Sequence, residues 1–286
     1  MLTVRAPAKI NLTLEVLGRR SDGFHEIRSV LQTINLCDSL HFQPDQGIAL
    51  KSDLPDWSAK ESLVAPAFNL LQRATRCSRG ATIEVDKRIP LMSGLGGDSS
   101  DAAAVLRGLN EFWGLSLSQE RVLDLAVQLG SDVAFFLYGG TALAEGRGEV
   151  VTPLMPLPHI WVVLVVPDVP REPGKTAQLY ANLNTSHYTD GEITERLVKV
   201  LNEGVELKPS LLFNTFENVA FEYFSGLKVY KEHIIKLGAP HVHLAGSGPA
   251  LFTMMQDKSQ AEDLYTRCKQ QGMETYMIET MGRVRS

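Results

Sequence analysis

Pro90-Leu91-Met92-Ser93-Gly94-Leu95-Gly96-Gly97-Asp98-Ser99-Ser100-Asp101-Ala102 is the stretch on which the reading of this chain turns. Three glycines let the backbone approach an anion closely and turn its N–H groups inward. The run continues into an Ala-rich segment whose apolar stripe is Ala102, Val105, Leu106, Leu109, Phe112 and Trp113, which predicts an amphipathic helix. The positive end of that helix adds to the attraction for phosphate. Ser99 and Ser100 offer hydroxyls as further donors or as a magnesium contact. No Gly-Lys-Ser/Thr follows, so this is not a Walker A loop, and no ribose-binding acid in a βαβ setting marks a dinucleotide site.

Working outward, residues 81–89 read as the strand that feeds the loop. At the N-terminus Ile10, Leu12, Leu14 and Val16 alternate with Lys9, Asn11, Thr13 and Glu15, which predicts a strand with one buried and one polar face. Residues 19–23 are turn chemistry, and 27–36 read as the hairpin partner, with short strands near 40–43 and 47–51. Residues 61–76 predict a helix that Pro66 either opens in its first turn or kinks, 118–129 a further helix, and Ser131-Asp132 the start of a short one. No element is assigned between the short helix and Met155-Pro156-Leu157-Pro158, the candidate domain boundary. Beyond it lie a buried strand (160–166), helices (175–182, 190–203, 214–237), strands (241–246, 250–256), a helix (258–271) and a closing strand (273–280). The fold class is α/β (α+β) with two domains, 1–155 and 156–286, the second an antiparallel sheet with helices on one face.

Composition narrows the function classes. The 286 residues are 44% hydrophobic and 21% charged, in the range of globular proteins. A formal net charge of -5 gives no basic surface for nucleic acid. Three scattered cysteines form no metal or disulfide framework and fit a reducing cytoplasm. His241 and His243 alternate on a strand without a third ligand nearby, so zinc is rejected. The N-terminus lacks the apolar block of a signal peptide, and the most apolar run, 160–166, is too short to cross a bilayer.

Several residues outside the loop carry candidate chemistry. Asp132 can accept the proton of an attacking hydroxyl, and a lysine on the polar face of the first strand, Lys9, can offset charge on reacting oxygens. Taken alone, the two also read as a helix N-terminal acid and a solvated strand lysine. Asn11 shares the face of Lys9. Phe24 and His25 follow a turn and offer a ring face, a donor and an acceptor. Gly246-Ser247-Gly248 links two strands and reads equally as a close backbone approach or a plain hairpin turn.

The pattern resembles the GHMP kinases. Pro90 to Ala104 resembles their central ATP-binding motif, Pro7-Ala8-Lys9-Ile10-Asn11-Leu12 their N-terminal motif, and His243 to Phe252 their C-terminal glycine motif. Gly18-Arg19-Arg20-Ser21-Asp22-Gly23-Phe24-His25-Glu26 and Gly130 to Phe136 are most similar to the members that phosphorylate a cytidine-diphosphate-linked methylerythritol. The resemblance implies an ATP-dependent kinase of isoprenoid precursor biosynthesis acting on that substrate's 2-hydroxyl, with Mg2+ carried by ATP, in a cytoplasmic monomer or homodimer. It implies catalysis by Lys9 and Asp132. ATP contacts fall to Pro90, Met92, Ser93, Gly94, Leu95, Gly96, Gly97, Asp98, Ser99 and Ser100. Substrate contacts fall to Asn11, Phe24, His25, Tyr180, Gly246 and Ser247, with Tyr180 stacking on one side of the cytosine. The site is expected in the cleft between the domains.

Two residues depart from the family pattern: Asp98 stands where a third glycine is usual and is expected to cap its own helix, and Ser62 stands where an asparagine beside the adenine site is usual. A homoserine- or mevalonate-type kinase, and a non-catalytic ligand-binding member of the fold, remain as alternative readings.

Overall fold

A computed structural model describes residues 1–55, 57–59 and 61–283. Its first sheet starts from β1 (Leu2–Arg19) and β2 (His25–Asp45), which pair antiparallel along almost their whole length. The expected hairpin partner and the short strand after it are therefore one strand of 21 residues. The register shifts at Pro7/Ala8, Asn11/Thr13 and Val16/Gly18, two unpaired residues in β2 at the first balancing one in β1 at each of the others. Pro7, which has no N–H for a ladder, lies at the first of these shifts.

The sheet grows by β3 (Ile48–Ser52) and β4 (Gly80–Asp86) on one side of β2, and by the hairpin of β5 (Thr141–Gly146) and β6 (Val150–Pro153) further along it. Helices α1 (Val64–Thr75), α2 (Gly97–Phe112), α3 (Gln119–Leu129) and α4 (Ser131–Tyr138) cover one face, with Phe42, Phe68, Leu71 and Val105 fully buried between layers. Pro66 falls in the first turn of α1, where its missing N–H costs nothing.

The second sheet runs β11-β7-β10-β9, all neighbours antiparallel: β7 (Trp161–Val166), β9 (His243–Leu244), β10 (Leu251–Met255) and β11 (Glu274–Glu279). Around it lie α5 (Lys175–Asn182), α6 (Glu192–Asn202), α7 (Glu217–Tyr223), α8 (Leu227–Lys236) and α9 (Lys258–Gln270). The helix expected over 214–237 is two helices, broken where Gly226 takes φ +87°, a left-handed turn that suits glycine. Just before it, β8 (Phe213–Asn214) adds parallel to β1, so the second half of the chain contributes a strand to the first sheet.

The polar face of β1 is covered as well as the apolar one. Lys9, Asn11, Thr13 and Glu15 are all buried. Glu15 and Thr13 are covered by the start of α6, where the Thr194 N–H donates to Glu15 Oε2 at 2.7 Å and the Thr194 hydroxyl to Thr13 Oγ1 at 2.9 Å. Lys9 and Asn11 instead face a cleft between the two sheets. Among the described residues no helix is long and apolar enough to cross a membrane.

Candidate active site

The loop before α2 is shaped by its glycines. Gly94 and Gly96 take φ +87° and +74°. At Gly94 an added Cβ would lie 2.1 Å from the Ala245 carbonyl oxygen and 2.7 Å from the Gly248 nitrogen, so only glycine lets the two glycine-rich loops meet. Gly246 closes the contact from the other side, its missing Cβ 2.7 Å from Gly94 O and 3.0 Å from Lys9 Nζ. The Ser93 hydroxyl ties the loop by donating to Pro90 O at 2.7 Å.

Over this junction sits a hydrogen-bonded chain of side chains. Lys9 Nζ lies 3.5 Å from Asp132 Oδ2 and donates to Asn11 Oδ1 at 2.8 Å. Asn11 Nδ2 donates to Ser29 Oγ at 2.8 Å, and Ser29 donates to Thr13 O. The lysine is buried, whereas the carboxylate, in the first turn of α4, is 39% exposed toward the cleft. A cation held by Asn11 and Asp132, the carboxylate itself accessible, can place a base and a counter-charge together.

Also lining the cleft is a cluster of rings. His25 and Tyr180 stack with centroids 4.7 Å apart and planes 15° from parallel, and Tyr180 meets the edge of Phe216. The His25 imidazole covers one face of Tyr180, and 4.7 Å leaves no space for a base between them. Phe24 is 55% exposed, with the Arg147 guanidinium 4.8 Å over its ring. Burial, with the Arg19 charge added, holds the His25 imidazole below its ordinary pKa and so in the neutral form that both donates and accepts.

The cleft that joins these parts measures about 1450 Å³. Every residue expected at the site lines it except Ser100. The Ser100 hydroxyl is buried and donates to Pro7 O at 2.7 Å, which pins α2 to β1 rather than facing phosphate; Ser99 is the serine that lines the cleft.

Asp98 also differs from expectation. It does not cap α2 but reaches across to α1, accepting from Ser62 Oγ at 2.6 Å and from the Leu63 N–H at 3.0 Å. The two departures from the family pattern are therefore one hydrogen-bonded pair that caps α1 from outside.

Sequence reasoning missed Ser29, Tyr188, Lys87 and Lys175, all of which line the cleft. Lys87 lies three residues before Pro90, at the end of a strand leading into the loop, and that position was its only signal. It bridges Asp38 Oδ2 at 2.5 Å and Asp101 Oδ2 at 2.7 Å, with all three side chains at most 2% exposed.

Comparison with known proteins agrees with this geometry. The GHMP kinases N terminal domain family matches residues 62–140 and the GHMP kinases C terminal family residues 195–273. A 4-diphosphocytidyl-2-C-methyl-D-erythritol kinase of Dehalococcoides mccartyi is 48% identical over 282 residues, 99% of each chain. A crystal structure of 4-(cytidine 5'-diphospho)-2C-methyl-D-erythritol kinase superposes with a TM-score of 0.83 at 32% identity, covering 98% of this chain and all of that one. A homoserine kinase from Cytophaga hutchinsonii shares the fold, with a TM-score of 0.74 at 17% identity over 98% of this chain and 95% of its own. The full-length match at high identity separates these two relatives, and the chain belongs to the 4-diphosphocytidyl-2-C-methyl-D-erythritol kinase family of the GHMP kinases.

Proposed function

We propose that the protein transfers the γ-phosphoryl group of ATP to the 2-hydroxyl of 4-diphosphocytidyl-2-C-methyl-D-erythritol, a step of isoprenoid precursor biosynthesis by the methylerythritol phosphate pathway. The observation that carries the reading is the Lys9–Asp132 pair standing against the junction of the two glycine loops. Asp132 takes the proton of the attacking hydroxyl. Lys9, oriented by Asn11, offsets the negative charge gathering on the transferring oxygens. The backbone N–H groups of residues 94–99 cradle the ATP phosphates. Catalysis is then positioning and charge stabilisation, with no covalent intermediate.

Magnesium supplies charge neutralisation on the nucleotide phosphates. In this reading the ion arrives on ATP and keeps several waters. The Ser99 hydroxyl, which lines the cleft beside the phosphate loop, would be an oxygen ligand for it. Residues 1–155 bring the base, the lysine and the phosphate loop in this reading, and 156–286 bring Tyr180 and the second glycine loop. The cytosine occupies the ring cluster once His25 rotates off Tyr180, with the neutral imidazole reading its edge. Cys37, Cys77 and Cys268 are free thiols, which supports a cytoplasmic setting.

Asp132→Asn keeps the shape and removes the base. Steady-state kinetics are expected to show kcat reduced by about a hundredfold or more, and full turnover by the purified variant would remove Asp132 from the mechanism. His25→Ala is expected to raise KM for the cytidine substrate about tenfold or more while leaving KM for ATP within a factor of about two; equal effects on both would sink cytosine recognition by His25.

A further inference from the structure

Lys175 stands at the start of α5 with only 6% of its surface exposed, yet it lines the cleft. Its ammonium donates to Ser247 Oγ at 2.8 Å and reaches Ser247 O at 3.5 Å. Thr176 Oγ1 shares the same serine hydroxyl at 2.8 Å. Among the described residues it forms no ion pair. The other two lysines of the cleft are matched, Lys9 by Asp132 and Lys87 by Asp38 and Asp101. An ammonium taken out of water without a counter-charge is costly, and burial, with repulsion from Lys9 added, pushes it down to about 8. Two of its three protons go to neutral oxygens of one serine, which leaves the charge itself without a partner.

We propose that Lys175 binds the diphosphate of the cytidine substrate; this rests on reading the His25–Tyr180 cluster as the cytosine site. The position along α5 carries the assignment. Tyr180 lies five residues on, about 7.5 Å along the helix axis at the usual rise, and meets His25 in the ring cluster. Lys175 reaches the other way, to the loop whose Gly246 abuts Lys9. In a cytidine diphosphate ester the two phosphates lie between the nucleoside and the alcohol. A buried, unmatched cation that shares its helix with Tyr180, lines the same cleft and lies within reach of the Lys9 charge is placed to meet those phosphates. Through Ser247 the same ammonium also steadies the glycine loop against which the alcohol reacts.

Titration calorimetry with cytidine and with CDP separates the parts of this claim. Wild type is expected to bind CDP about tenfold or more tightly than cytidine, the worth of a charge-assisted contact. K175M is expected to bind cytidine as wild type does and to lose most of the preference for CDP. Its KM for the full substrate rises by about the same factor, while KM for ATP stays within about twofold. K175Q, which keeps a polar head without charge, behaves like K175M should the methionine disturb the fold, and K175R keeps most of the CDP preference. A K175M or K175Q that retains the wild-type ratio of CDP to cytidine affinity overturns the assignment, and a rise in KM for ATP alone moves the lysine to the nucleotide triphosphate. Wild type that fails to bind cytidine at all overturns the base-site reading, and the placement of Lys175 falls with it.

Discussion

Lys87 and Lys175 are two buried lysines, one beside each of the glycine loops that meet at the junction. Lys87 packs beneath Gly97, its Nζ 3.6 Å from where a Cβ would stand, and is gripped by two buried carboxylates. Lys175 reaches the second glycine loop and has only serine oxygens. Residue type and burial are nearly equal, and the partners differ. Where the protein supplies more anion than cation, the lysine is part of the framework: Asp38 also accepts from the Arg88 and Ile89 N–H groups and so fixes the strand end that launches the loop. Where the protein supplies no anion, the charge is left for a ligand. Counting counter-charges around a buried lysine thus separates a structural cation from a binding one, which neither burial nor position in the cleft does.

The contrast breaks most visibly at Lys87. Lys87→Met leaves Asp38 and Asp101 buried without a cation, and removing one member of a buried ion pair costs about 3–5 kcal/mol. Urea denaturation is expected to show a loss of that size; a variant as stable as wild type would mean the triad is not what holds the strand end. Burial already pushes the Asp101 carboxyl up, with Asp38 adding repulsion against the pull of Lys87, and its Oδ1 has no hydrogen-bond partner. The triad thus has little further margin for unpaired negative charge.

Asp98 applies the same test to an anion. Its carboxylate is satisfied within the protein by Ser62 and the Leu63 N–H, so it belongs to the framework although it sits on the phosphate loop. Asp98→Ala uncaps α1 and is expected to cost about 1 kcal/mol of stability while KM for ATP holds or falls, since a negative charge leaves the neighbourhood of the phosphates. A large rise in KM for ATP would instead make Asp98 a direct nucleotide or magnesium contact.

These partners explain what the sequence could and could not reveal. The loop, its helix, the alternation of β1 and the start of α4 are local patterns, so the glycine cradle was legible from residue types and spacing, whereas Lys9 and Asp132 stood out as catalytic only through the resemblance of the motifs around them. The hairpin of β5 and β6 carried the turn signal Gly146-Arg147-Gly148 and went unassigned. Gly226 likewise stood in plain view inside the segment read as one helix. The rest depends on long-range pairing. Ser62 and Asp98 lie 36 positions apart, and each looked like a separate loss of a family residue until the fold placed them 2.6 Å apart. Lys87 and Asp38 are 49 apart, and Lys175 and Ser247 are 72 apart. No window along the chain shows that the first lysine has carboxylates and the second has none. The buried polar face of β1 was missed for the same reason: alternation gives the two faces of a strand, and only the packing of α6 against Thr13 and Glu15 decides that both are covered.

The subtlest expected effect concerns the unmatched lysine in the ligand-free protein. Lys175→Met removes a buried charge that has no counter-ion, so near neutral pH its stability is expected to equal or exceed that of wild type, opposite in sense to Lys87→Met. The pH dependence gives the sharper form. Burial brings the folded-state pKa of Lys175 down to about 8, below the ordinary lysine value of 10.5, so between these values the unfolded chain holds a proton that the folded one has released. The contribution of this group is thus fully present above 10.5 and lost as pH falls through 8. Wild-type stability should gain on the Lys175→Met variant as pH rises across that window, by at most about 1.4 kcal/mol per pH unit. Taking the difference between the two proteins cancels the tyrosines and cysteines that titrate nearby. Saturating CDP should flatten the difference, because a bound diphosphate holds the ammonium charged in the folded state and restores a pKa near the unfolded one. A difference that is flat without ligand would show that Lys175 has a counter-charge after all, and the distinction between the two lysines would be lost.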